Sequence, residues 1–298
     1  MALYPEARKA VENHLSEPSV TDPGYDIEAA RAADRAAAAG VPREEVAEVR
    51  DVLIPGKDAG VPARLYLPEG YDGVVVHAHG GGFVFNDVEV HDAAVRRLAD
   101  RSGMAVLSVD YRRPPEHRFP AAPDDVTAAL DWVATQEELS GLPTFAHGDS
   151  AGGNLVLVAA LRRPGALAGL VLIYPFLDPA ASFDSYRTAA DGFDPAEAAW
   201  YWQQYAARPA DLADPDLAPL LSPHLGTLPP TLVVTAEHDP LRDEGEHLAV
   251  LLAEAGVEVV ATRALGQVHG FWRHDRVFPA AEPLMRQAAG WMRMVAGR

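Results

Sequence analysis

The stretch FAHGDSAGGN, residues 145–154, sets one serine between glycines two positions away on either side. A serine hydroxyl is a weak nucleophile at neutral pH, so crowding one with glycines needs a geometric reason. Gly148, Ser150 and Gly152 fit G-x-S-x-G, the strained turn in which a serine stands between an incoming strand and an outgoing helix. The flanks agree: PTFAHG (143–148) is strand-like and AGGNLVLVAALRR (151–163) is helical in length and composition. Such a turn aims Ser150 off the carboxyl end of a strand. It also sets the amide of Ala151 at a helix start, facing the place where an oxyanion would develop.

Outward from this turn the same alternation repeats. GVVVHAHG (73–80) is the continuous apolar run of a strand buried on both faces. AVLSVDY (105–111), LAGLVLIYP (167–175), TLVVTAEHD (231–239) and VEVVATRAL (257–265) also read as strands. DDVTAALDWVATQ (124–136), LRDEGEHLAVLLAEAG (241–256) and PAAEPLMRQAAGWMRMV (279–295) read as helices. VRDVLIPG (49–56) and VPARLYLP (61–68), joined through GKDAG, read as an antiparallel pair. The expected α/β architecture is a mostly parallel eight-stranded sheet with helices on both faces, spanning residues 46–298. Residues 1–45 read as polar helices. The proline-rich segment 178–223, with its aromatic run AAWYWQQY, is too long for an ordinary connection; we expect an inserted cap, completed by residues 1–45.

Composition narrows the function. The 298 residues carry 25 Lys plus Arg against 43 Asp plus Glu, a net charge of -18. Such a surface repels phosphate backbones and acidic headgroups, which argues against nucleic-acid or membrane-surface partners. The absence of cysteine excludes disulfides, thiolate metal sites and a cysteine nucleophile, and fits a cytoplasmic protein. No signal-like apolar run opens the sequence, and none has spanning length.

A nucleophilic serine needs a base, an orienting acid and an oxyanion site. HGGGF (79–83) follows the strand GVVVHA, and its glycines suit a loop whose N–H groups, from Gly81 and Gly82, meet a substrate carbonyl. Of eleven histidines, His269 in QVHGF comes late, after the last strand, where the order serine–acid–histidine places the base. His77, His79 and His147 lie on or beside core strands and read as structural. Asp239 directly follows a strand and precedes Pro240, so it is the preferred acid, with Glu237 second. Asp243 and Glu244 fall in a helix's first turn, where acids commonly serve the dipole. Phe83 and the aromatic group Trp200, Tyr201, Trp202 and Tyr205 are either core packing or the lining of an acyl pocket. Asp149 and Asn154 flank the serine and are expected to bond loop amides.

The ordered motifs HGGGF, YRRPPEHRFPAAPDD (111–125), GDSAGGN, DPLRDEG and HGF resemble those of the hormone-sensitive lipase-like (group IV) carboxylesterases of the α/β-hydrolase superfamily, from about Val49 onward. The resemblance implies an α/β-hydrolase fold with a helical cap. It also implies Ser150 as nucleophile, His269 as base, Asp239 as orienting acid, and Gly81, Gly82 and Ala151 as the oxyanion hole. One departure is Arg113-Pro114, where the family shows Leu-Ala. The expected activity is hydrolysis of short- to medium-chain acyl esters through an acyl-enzyme, by a monomer or homodimer with no metal and no cofactor. An amide or carbamate hydrolase with the same triad, such as a small-metabolite deacetylase, is the alternative. A non-catalytic small-molecule receptor on this scaffold is more distant.

Overall fold

The computed structural model describes residues 2–56 and 60–297. Two helices, α1 (Pro5–His14) and α2 (Ile27–Ala39), precede strands β1 (Glu48–Ile54) and β2 (Val61–Leu67). These strands pair antiparallel as expected, although most of their GKDAG connection, residues 57–59, lies outside the described residues. There follow β3 (Val74–Ala78), α3 (Val88–Ser102), β4 (Ala105–Val109), α4 (Ala121–Val133), β5 (Thr144–Asp149), α5 (Ala151–Arg162) and β6 (Gly169–Ile173). The long passage to β7 (Thr231–His238) carries α6 (Ser185–Thr188), α7 (Pro195–Tyr205) and short 3₁₀ turns. Last come α8 (Arg242–Glu254), β8 (Val259–Val268) and α9 (Ala281–Val295).

The strands form one sheet in the order β1-β2-β4-β3-β5-β6-β7-β8. β1–β2 and β2–β4 are antiparallel and every other pairing is parallel. Period-two alternation sends successive residues of β3 into opposite cores. Val74, Val76 and Ala78 pack with Val126 of α4, Leu155 of α5 and Leu248 of α8. Val75 packs with Val95 and Leu98 of α3 and Met285 of α9. Both faces are therefore buried, which is why the strand opens on three consecutive valines. Each such valine contributes about 1.5–3 kcal/mol by leaving water.

Three boundaries differ from the sequence reading. α3 is an element that reading leaves unassigned, although its caps are in the sequence. The Asp87 carboxylate accepts from the N–H groups of Glu89 and Val90, and Gly103 ends the helix at φ 66°. α4 begins at Ala121, because Pro123 falls in a first turn where a missing N–H costs nothing. β8 runs on to Val268 and so carries its own momentum directly to His269.

The N-terminal helices are tied to this frame. Tyr4 donates its N–H to the Gly266 carbonyl at 3.1 Å, and Ala7 of α1 is buried in the α9-side core. Arg31 of α2 donates to the carbonyls of Val84 (2.9 Å) and Pro114 (2.6 Å) and pairs with Glu116 at 2.8 Å. Glu197 of α7 accepts from the Ser19 hydroxyl at 2.9 Å and lies 3.4 Å from His14, joining the N-terminal segment to the passage between β6 and β7.

Candidate active site

β5 ends at Asp149 and α5 begins at Ala151, leaving Ser150 alone in the turn at φ 52°, ψ -120°. A non-glycine residue held there costs on the order of 1–3 kcal/mol, which the surroundings must offset. Ser150 donates its N–H to Ile173 at 2.9 Å, and its carbonyl accepts from Phe176 at 3.1 Å. The glycines are obligatory. A Cβ on Gly152 would lie 2.0 Å from the Ala78 carbonyl oxygen, and one on Gly148 would lie 2.3 Å from that of Gly152.

The end of β8 brings His269 to this serine, with Nε2 at 2.9 Å from Ser150 Oγ. Nδ1 lies 2.8 Å from Oδ2 of Asp239, which sits fully buried just past β7 and accepts the Leu241 N–H at 2.8 Å on its other oxygen. A carboxylate at Nδ1 places the ring proton there and leaves Nε2 as an acceptor toward the hydroxyl. The rings of Tyr174 and Phe193 flank the imidazole, with centroids 4.6 and 5.1 Å away.

The other acids near Asp239 are engaged elsewhere. Glu237 accepts the Gly266 N–H at 2.7 Å. Asp243 accepts the N–H of Ser185 at 2.9 Å. Glu244 is fully buried, and that burial pushes its carboxyl well above the ordinary range. It accepts from the Leu177 N–H (2.6 Å) and the Tyr186 hydroxyl (3.0 Å). Through Ser185 and Tyr186 these first-turn acids also hold the 178–223 segment.

The glycine loop after β3 approaches the serine from the other side. Gly80 donates its N–H to Oδ1 of Asp149 at 2.9 Å, the expected bond from an elbow-flanking residue to a loop amide. Gly81 and Gly82 take φ 121° and 57°, and both line the same cavity as Ser150. Among the described residues their N–H groups have no acceptor within the protein. The N–H of Ala151, first in α5, has no intrahelical acceptor either. Asn154 departs from expectation. Its Nδ2 donates to the carbonyls of Phe176 and Leu217, each at 2.9 Å, so it pins the insertion instead of a loop amide. Arg113, at the departure from the family motif, donates to the Asn86 carbonyl and braces the glycine loop.

Ser150 and His269 open into a cavity of about 920 Å³ walled by Phe85, Phe176, Phe193 and Tyr201. Of the aromatic side chains weighed from sequence as pocket lining, Tyr201 borders the cavity and the others stand elsewhere. Phe83 is fully buried and stacks on Tyr205 with centroids 3.8 Å apart and planes within 4°, and Trp202 packs against both Phe83 and Phe176. Trp200 stacks on the far side of Phe85 at 6.2 Å. The reason is helical phase. Glu197 and Tyr201, one turn apart, border the cavity, whereas Ala198, Trp202 and Tyr205 lie on the adjoining stripe of α7, turned into the core.

A mostly parallel eight-stranded sheet with a strained serine turn at the β5–α5 junction is the architecture of the α/β-hydrolases. The chain belongs to the alpha/beta hydrolase fold family, whose sequence pattern matches residues 75–273, and to its hormone-sensitive lipase-like group. It is 38% identical to the carboxylic ester hydrolase LipN of Mycobacterium tuberculosis over 83% of this chain and 70% of that one. It is 35% identical to an arylesterase of Saccharolobus solfataricus over 91% and 92% of the two chains. A solved hyperthermophilic esterase from Pyrobaculum calidifontis superposes with a TM-score of 0.90 at 35% identity, covering 99% of each chain.

Proposed function

We propose that this chain is a serine carboxylesterase for short- to medium-chain acyl esters. The observation that carries the reading is the continuous path from Asp239 to His269 at 2.8 Å and on to Ser150 at 2.9 Å, opening into an aromatic-walled cavity. Esterase relatives that match nearly the whole length support the same class of substrate.

In this reading His269 Nε2 takes the Ser150 proton as Oγ attacks the ester carbonyl, while Asp239 holds the Nδ1 proton in place. The carbonyl oxygen gains its negative charge among the N–H groups of Gly81, Gly82 and Ala151, which are free to donate. One such donor is worth about 10²–10³ in rate. The imidazolium protonates the departing alcohol and an acyl group remains on Oγ. Water, deprotonated by the same nitrogen, then releases the acid. Residues 1–45 and 178–223 act together as the cap, and Phe176, Phe193 and Tyr201 bound the acyl space. All of these groups come from one chain, so a monomer suffices and a homodimer is compatible. Cytoplasmic residence is inferred from the absence of cysteine; among the described residues no helix is long and apolar enough to cross a membrane.

Ser150→Ala tests the reading directly. Turnover of p-nitrophenyl butyrate should fall by at least about 10⁴-fold, and covalent labelling by a fluorophosphonate should disappear. Retained turnover overturns the assignment.

A further inference from the structure

Two imidazole–carboxylate pairs approach the serine turn. His269 and Asp239 meet it from the cavity, and His91 and Asp149 lie behind it. Asp149, the residue immediately before Ser150, borders the cavity but is only 3% exposed. Its Oδ1 accepts the Gly80 N–H at 2.9 Å and lies 3.5 Å from Nε2 of His91 on α3. His91 is fully buried among His77, His79 and Trp272, with ring centroids 5.9, 5.5 and 6.5 Å away. Apart from the Asp149 contact, its ring nitrogens have no partner among the described residues. Burial alone would raise the Asp149 carboxyl, but the facing histidine holds it below the usual carboxylate range.

The contact requires glycine at position 80. A Cβ there would lie 2.4 Å from Oδ2 of Asp149, so any side chain would push the carboxylate off the loop. Asn86 Nδ2 holds the Gly80 carbonyl at 3.1 Å, which fixes the loop to its own far end. Asp149 instead fixes the loop to the serine turn. Gly81 and Gly82, with no side chains of their own, depend on such tethers to keep their amides in place.

We propose that Asp149, backed by His91, is a positioning residue for the oxyanion loop, setting the distance from the Gly81 and Gly82 amides to Ser150 Oγ before substrate arrives. The inference rests on the proposed roles of that serine and those amides. Preorganised donors lose most of their effect when they drift, because the transition state must then reorganise them. The latch therefore acts on kcat and on the binding of tetrahedral analogues, and leaves ground-state binding nearly unchanged.

The test compares wild type, Asp149→Ala, Asp149→Asn and His91→Asn, with p-nitrophenyl butyrate as substrate and an alkyl trifluoromethyl ketone as the tetrahedral-oxyanion probe. Asp149→Ala should lower kcat about 10²-fold with KM changed by less than about threefold, and Ki for the ketone should rise in proportion. Asp149→Asn keeps an oxygen for the Gly80 N–H and should recover about tenfold of that loss; His91→Asn should lose about tenfold. Should Asp149→Ala fail to fold, the same proportion between kcat and Ki is read from the two Asn variants. A fall in kcat without a matching rise in Ki, or no fall at all, overturns the proposal. Ser150→Ala measured alongside separates this failure from a failure of the nucleophile assignment.

Discussion

On the floor of the cavity a Cβ at Gly152 would strike the Ala78 carbonyl at 2.0 Å; on the roof Trp202 is held by the rings of Phe176 and Phe83 at 4.4 and 5.2 Å. The first contact is backbone against backbone and admits one residue type. The second is side chain against side chain and admits several solutions of similar volume. The floor therefore writes itself into the sequence as a motif of fixed spacing. The roof leaves only a loose aromatic run whose facing is decided after α7 has formed.

The largest effect tests the floor. Gly152→Ala places a methyl where neither the Ala78 nor the His79 carbonyl can withdraw without unseating β3 or the glycine loop. We expect destabilisation beyond about 5 kcal/mol, observed as loss of soluble, cooperatively melting protein. If Gly152→Ala melts within a few degrees of wild type, the floor is as tolerant as the roof and the contrast fails.

On the roof two neighbours should separate cleanly. Trp202 is 2% exposed in the core, so Trp202→Ala should cost about 3–5 kcal/mol in urea unfolding and leave the order of preference among acyl chain lengths unchanged. Tyr201 lines the cavity and covers Gly82, whose Cβ would lie 2.1 Å from its ring. Tyr201→Ala should cost less, about 1–2 kcal/mol, yet move the p-nitrophenyl ester preference toward longer chains. A shift in preference from Trp202→Ala and none from Tyr201→Ala would reverse the two faces of α7.

The same contrast explains what was legible in the sequence. Ser150, His269, Asp239 and the glycine loop occupy strand ends, and strand ends are marked by where apolar runs stop. The central strands were readable because both of their faces are buried. α3 is hard to read in the sequence because its apolar positions at Ala94, Val95, Leu98 and Ala99 are interleaved with buried polar groups, His91 and Asp92 among them. Glu244 is hidden for a related reason: a carboxyl in a first turn looks solvated until Leu177 and Tyr186 fold over it. Local pattern carries no information on what a distant segment will cover.

The smallest effect concerns the underside of the floor, where histidines are buried within the sheet. His147 of β5 faces His77 Nδ1 at 3.1 Å, with Trp272 beside it and Asp149 two residues on, and burial pushes it down to about 4 from an unfolded value of 6.5. Between those values the unfolded chain binds a proton that the folded chain refuses. Stability is therefore complete above pH 6.5 and is lost as pH falls toward about 4, at a slope approaching 1.4 kcal/mol per pH unit for one proton. Burial displaces His77 and His79 in the same direction, so their losses add to it. His147→Gln should flatten the acid limb of the unfolding free energy by about one proton's share while leaving the plateau at higher pH level. An unchanged slope would mean that acid does not enter through the sheet beneath the serine, and that the floor owes its acid sensitivity to other groups.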